Sequence, residues 1–84
     1  MRCIVRVEVR LKEGFLDPEG EVTKNALKDL GFQEVNDVKV AKTYYITLST
    51  DNVDKIREIV VDMCRKLLAN PTKDIYSIEI IKCE

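Results

Sequence analysis

From Cys3 to Leu11 the chain alternates between apolar and polar side chains. Cys3, Val5, Val7, Val9 and Leu11 fall on one face at a period of two, and Arg6, Glu8 and Arg10 fall on the other. This pattern predicts a strand with one buried face, and Ile4 among the charges indicates partial cover on the second face. The period then changes. Asp17 is a good helix N-cap, Pro18 suits the first helical position, and Glu19 and Glu21 complement the positive helix end. Val22, Ala26, Leu27 and Leu30 follow at helical spacing, and Gly31 supplies a left-handed stop. Gly20 is out of place inside a helix, where glycine costs about 1 kcal/mol relative to alanine. A glycine there points to a close approach by another stretch of backbone or a softened first turn, or is simply a tolerated weak spot.

Between Phe32 and Ser49, β-branched and aromatic residues predict two strands. One runs through Val35, Val38 and Val40. In the other, Tyr44, Ile46 and Leu48 alternate with Tyr45, Thr47 and Ser49. A tight turn near Ala41-Lys42 joins them; because it lacks Asn-Gly or Asp-Gly, one bent strand is the alternative. Asp51 is placed to cap a second helix whose apolar stripe is Val53, Ile56, Val60, Met63, Cys64 and Leu67. Asn70, which tolerates the left-handed conformation, and Pro71 end that helix. A last strand sets Tyr76, Ile78 and Ile80 against Ser77, Glu79 and Ile81.

The order strand–helix–strand–strand–helix–strand is the split βαβ, ferredoxin-like arrangement of the α+β class. It predicts a single domain, residues 1–84, built as a two-layer sandwich: a four-stranded antiparallel sheet with both helices on one face. The other face is left open, with Ile4, Tyr45 and Ile81 beside charged neighbours. A domain of 84 residues buries only roughly 60% of the surface its unfolded chain exposes. The expectation is therefore a homodimer or tetramer that pairs through the sheet.

Composition narrows the function. Fourteen basic and fifteen acidic side chains leave a formal charge of −1, which offers no bulk attraction to nucleic acid or anionic lipid. Arg2, Arg6, Arg10 and Lys12 lie along the first strand, but Glu8 interrupts them and the stacking aromatics of RNA-binding sheets are missing. No apolar run reaches the length of a membrane span and no signal-peptide core follows Met1, so the expected compartment is the cytoplasm. Cys3, Cys64 and Cys83 form no CxxC pair and have no histidine to help them bind metal; they read as three reduced thiols packed as small hydrophobes. The chain has no histidine, no phosphate-cradling glycine loop and no nucleophile elbow. Catalysis by this chain alone is therefore not expected, and its carboxylates fall at helix starts and on solvated faces.

Three stretches resemble a known family. Leu16-Asp17-Pro18-Glu19-Gly20 follows a valine-rich first strand, and Glu34-Val35 and Asp37-Val38 precede Lys42. Met63-Cys64-Arg65-Lys66-Leu67-Leu68-Ala69-Asn70-Pro71 then leads to Tyr76. Together, from Val5 to about Ile80, they resemble the PurS family, the small subunit of phosphoribosylformylglycinamidine (FGAM) synthase of purine biosynthesis. Two features depart from the family pattern: Ala41-Lys42 stands where Gly-Lys is usual, and Thr72, Lys73, Asp74 and Ile75 replace the usual acidic run before Tyr76.

The resemblance implies a non-catalytic assembly subunit. Such a subunit bridges an ATP-dependent synthetase (PurL) and a glutaminase (PurQ), so that ammonia passes between them. It implies no cofactor on this chain, with ATP and Mg held by the synthetase, and neither nucleic acid nor membrane as a partner. The candidates for contact with partners are Asp17, Pro18 and Gly20 of the helix-start turn, with Lys42, Asn70 and Pro71, of which Lys42 and Asn70 match family motifs at exposed turns. A different reading of the same pattern is a regulatory module of ferredoxin-like fold that binds a small molecule at a dimer groove.

Overall fold

The computed structural model describes all residues, 1–84. β1 (Arg2–Leu11) is followed by helix α1 (Pro18–Asp29), β2 (Ala41–Ser49), helix α2 (Ile56–Met63) and β3 (Asp74–Cys83). A 3-10 turn at Val53–Lys55 leads into α2, and a π turn at Cys64–Leu68 extends it. The sheet has three strands in the order β2-β1-β3, both neighbours antiparallel to β1.

The expected fourth strand is absent. Residues 36–40 join no ladder, and β2 begins at Ala41, where a hairpin turn was expected. Backbone hydrogen bonding explains the difference. The Val40 N–H donates to Asp17 at 2.8 Å, and the Val38 carbonyl is pressed against Gly20. The Val40 N–H is thus committed to the cap of α1 rather than to a neighbouring strand.

The core follows the alternation of β1. Cys3, Val5, Val7 and Val9 are buried on one face against Ile56, Val60, Cys64 and Ala69 from the second helical segment. Tyr44, Ile46 and Leu48 of β2 and Tyr76 and Ile78 of β3 flank this cluster, in register with β1. The face carrying Arg6, Glu8 and Arg10 is open, and Arg6 meets its cross-strand neighbour Glu79 at 3.0 Å.

The expectation of two helices on one face also fails. α2 covers the sheet, whereas α1 makes no extended contact with any other element and buries only Gly20. Val22 and Leu30 of its apolar stripe are 70% and 74% exposed. The projecting helix makes the molecule elongated, with a radius of gyration of 16.6 Å against the ~12 Å expected of a compact domain of this length.

Helix ends follow local chemistry. Asp17 caps α1 by accepting from the Gly20 N–H at 2.9 Å. Gly31, at φ 102°, closes α1: its N–H donates to Lys28 and that of Phe32 to Leu27, both at 3.0 Å, as in a Schellman motif. Asn52, rather than Asp51, caps the second helical segment, accepting from the Asp54 N–H at 3.1 Å. Asn70 is not left-handed, since no residue other than glycine has positive φ. It acts through its side chain, which accepts from the Thr72 N–H at 2.9 Å and closes a turn. The three cysteines are not all free thiols. Cys3 and Cys83 form a disulfide between β1 and β3, and Cys64 is free and buried.

Candidate functional site

β1 ends where β2 and β3 begin, so three connecting segments converge at one end of the sheet: 12–20, 36–42 and 70–75. The six candidate positions lie on them. Asp17 ties the first segment to the second, since one carboxylate oxygen accepts from Gly20 and the other from Val40. Gly20 belongs here for steric reasons, because a Cβ at this position would collide with the Val38 carbonyl oxygen. Of the readings its place in the helix left open, this is the close backbone approach. Lys12 ties the first segment to the third. Its N–H donates to the Lys73 carbonyl at 2.8 Å and its ammonium to the Pro71 carbonyl at 3.0 Å. Asn70 secures the third segment to the start of β3, donating its N–H to the Asp74 carboxylate at 2.8 Å.

Two clefts lie between these segments. The larger, about 570 Å³, is bordered by Arg10, Lys12, Phe15, Asp17, Lys39 and Ile75. The smaller, about 200 Å³, is bordered by Asp17, Lys42, Lys73 and Asp74. Pro18 is exposed at the head of α1, and Asn70 and Pro71 are exposed on the adjoining turn. Lys42 sits in the β2 ladder opposite Val9 rather than at a hairpin tip. The contributions of Lys12, Lys39 and the Val38–Val40 backbone were not apparent from residue type. A polar side chain reaching across a loop leaves no periodic mark in a sequence.

The polar groups at this end are tied to one another. The backbone N–H groups of Gly20 and then Val40, with Lys39 nearby, hold the Asp17 carboxyl below the usual carboxylate range. It is a fixed acceptor, not a proton carrier at neutral pH. Arg10 is engaged by Glu8 at 3.5 Å and Lys39 by Asp37 at 3.7 Å, so the cleft's charges are balanced locally. No cluster of three His, Cys, Asp or Glu side chains is placed to hold a metal ion. No helix is long and apolar enough to cross a membrane.

Comparison with known proteins places this architecture. Residues 4–82 match the family described as PurS, phosphoribosylformylglycinamidine (FGAM) synthase. The chain belongs to the PurS family. It is 42% identical over 78 residues to the phosphoribosylformylglycinamidine synthase subunit PurS of Methanocaldococcus jannaschii, covering 93% of this chain and 94% of that one. The crystal structure of the Methanocaldococcus jannaschii PurS, one of the subunits of formylglycinamide ribonucleotide amidotransferase, superposes with a TM-score of 0.84 at 40% identity over the whole of both chains. A chain in the structure of PurLQS from Thermotoga maritima shares the fold, with a TM-score of 0.85 over 96% of this chain and 99% of that one at 23% identity. The PurS match spans all three segments at the candidate end of the sheet.

Proposed function

We propose that this chain is the non-catalytic assembly subunit of phosphoribosylformylglycinamidine synthase. In this reading it holds an ATP-dependent synthetase and a glutaminase together, so that ammonia released from glutamine reaches the synthetase without loss to solvent. ATP and Mg belong to the synthetase, and the complex works in the cytoplasm. The observation that carries the reading is the amount of ordered surface the single chain leaves uncovered. The apolar side of α1 faces outward, and one sheet face is open. At one end of that sheet, three cross-tied segments present Pro18, Lys42, Asn70 and Pro71, while Asp17 and Gly20 are buried beneath and hold the segments in place.

Self-association belongs to the same reading. A twelve-residue helix such as α1 is marginal in water without packing against its apolar side. A second copy would supply that packing and would leave the tied end of the sheet for the larger partners. The relatives' role as subunits and the PurLQS assembly of the Thermotoga maritima protein support this assignment.

The experiment is reconstitution of glutamine- and ATP-dependent product formation from the synthetase and glutaminase, with this chain added or withheld. Activity that requires the chain, while the chain alone turns nothing over, is the expected result. Full activity in its absence would refute the bridging role.

A further inference from the structure

Alternation along β3 places Tyr76, Ile78 and Ile80 on the helix-covered face, opposite Val9, Val7 and Val5. Continued without a break, it would turn Lys82 toward the core and Cys83 toward the open face. The ladder slips instead. Val5 pairs with Ile80 while Ile4 pairs with Lys82, so Ile81 is the extra residue of a bulge. That single residue reverses the end of β3 and sets Cys83 opposite Cys3 on the core face. The next pair outward, Arg2 and Glu84, exchanges both backbone hydrogen bonds at 2.7 Å. Cys3 and Cys83 therefore form a non-hydrogen-bonded pair, the kind in which facing side chains come closest. Their Cα atoms are 4.0 Å apart and their sulfurs are bonded.

The two sulfurs differ in access. Cys3 has no exposed surface, whereas Cys83 is part-exposed, next to the last residue of the chain. Cys64 lies within the core and is free.

We propose that Cys3 and Cys83 are a reversible redox site, closed and opened by exchange with small disulfides and thiols of the glutathione class, and that its state sets how firmly the end of β3 is held. In closing, the Cys83 thiolate attacks one sulfur of the small disulfide, forming a mixed disulfide and releasing one small thiol. The Cys3 thiolate then attacks the Cys83 sulfur, which forms the internal bond and releases the second small thiol. The two protein thiols are oxidised by two electrons, the small disulfide is reduced to two thiols, and the two protons pass to those products. Opening is the reverse, entered at Cys83. The bond joins residues 80 apart in sequence, so it restrains almost the whole unfolded chain, and the stabilisation rises with loop length. Beyond the bulge, the open form holds the end of β3 with only a few ladder bonds.

The test uses the full chain equilibrated with either oxidised glutathione or excess reduced dithiol, then quenched in acid and denatured for alkylation and mass measurement. The oxidised sample should retain one alkylatable thiol, on Cys64, and yield a peptide pair joined through Cys3 and Cys83. The reduced sample should show three thiols and a midpoint lower by more than about 10 °C. Cys83→Ser should melt near the reduced wild type under both conditions, and Cys64→Ala should keep the redox-dependent shift. Three free thiols after oxidation, a bond through Cys64 or between chains, or equal midpoints in the two states would each overturn the proposal.

Discussion

Asp17 and Val40, 23 residues apart in sequence, are joined by a hydrogen bond of 2.8 Å from the Val40 N–H to a carboxylate oxygen. Through it, the residue that caps α1 also fixes the point at which β2 enters the sheet. One short side chain thus couples helix initiation to strand register, so its replacement should be felt beyond the first helical turn.

Replacing Asp17 should separate the two roles. Asn at this position can still cap but carries no charge, whereas Ala loses both hydrogen bonds. Asp17→Ala should lower the thermal midpoint by at least roughly 5 °C, and Asp17→Asn by less. The pH dependence follows from the depressed carboxyl. Its folded value lies below the ordinary aspartate range, so its stabilisation is complete above the unfolded value and is lost as pH falls through the folded one. Stability curves measured from pH 6 down to pH 2 should therefore be flatter for Asp17→Asn than for wild type. Parallel curves would show that the charge contributes nothing.

Gly20→Ala reverses an ordinary rule. In an exposed helix, alanine stabilises by about 1 kcal/mol over glycine. Here the new methyl would run into the Val38 carbonyl, which Asp17 holds in place through Val40 two residues later. The segment must shift, and the expected net loss is about 1–3 kcal/mol in denaturant unfolding. A stabilised variant would mean that residues 36–40 are free to move away.

Ile56 and Val60 are the central contacts between α2 and the sheet, both with no exposed surface. Ile56→Ala should cost about 2–5 kcal/mol, a large share of what a core of eight buried apolar residues can supply. An equal truncation at the exposed Val22 should cost the isolated chain little, and chemical denaturation of the two variants side by side checks the contrast.

How much of this was legible in the sequence depends on how local the cause was. β1, the cap at Asp17 and the stop at Gly31 rest on neighbours within one turn or one strand, and all three stand in the structure; of the second helix's stripe, Ile56, Val60 and Cys64 are buried, but Val53 and Leu67, in the flanking 3-10 and π turns, are exposed. The cost of a glycine at position 20 made a close approach one of the readings open to the sequence, but not Val38, the residue that makes it. The segment through Val35, Val38 and Val40 has strand composition but no strand. The Val40 N–H goes to Asp17, a long-range choice that composition does not encode. The disulfide was hidden for a related reason. Alternation puts Cys83 on the wrong face unless a bulge is placed at Ile81, and the doublet Ile80-Ile81 was the only sign of the change in phase. The six candidate positions come from separate motifs, and their convergence at one end of the sheet became visible only once β1, β2 and β3 were paired.

The last prediction concerns α1. Val22, Ala26 and Leu30 recur at helical spacing, so they form one stripe, and all three are exposed in the single chain. Phe15, Leu16 and Phe32, at the two ends of the helix, extend the apolar surface. The open sheet face is less apolar, because Arg6, Glu8, Arg10 and Glu79 share it with Ile4 and Tyr45. If self-association covers α1, a charge placed in its stripe should weaken the oligomer while leaving the α2–sheet core intact. Leu30→Glu should raise the dissociation constant at least tenfold, about 1.4 kcal/mol. The near-ultraviolet signal of Tyr44 and Tyr76, which pack on the core, should not change. Thr47→Glu, on the open sheet face opposite Ile4, should leave the dissociation constant within a factor of about three if that face stays outside the contact. Sedimentation equilibrium on the two variants separates the surfaces. A Leu30→Glu protein that associates like wild type, while Thr47→Glu comes apart, would move the interface from α1 to the sheet.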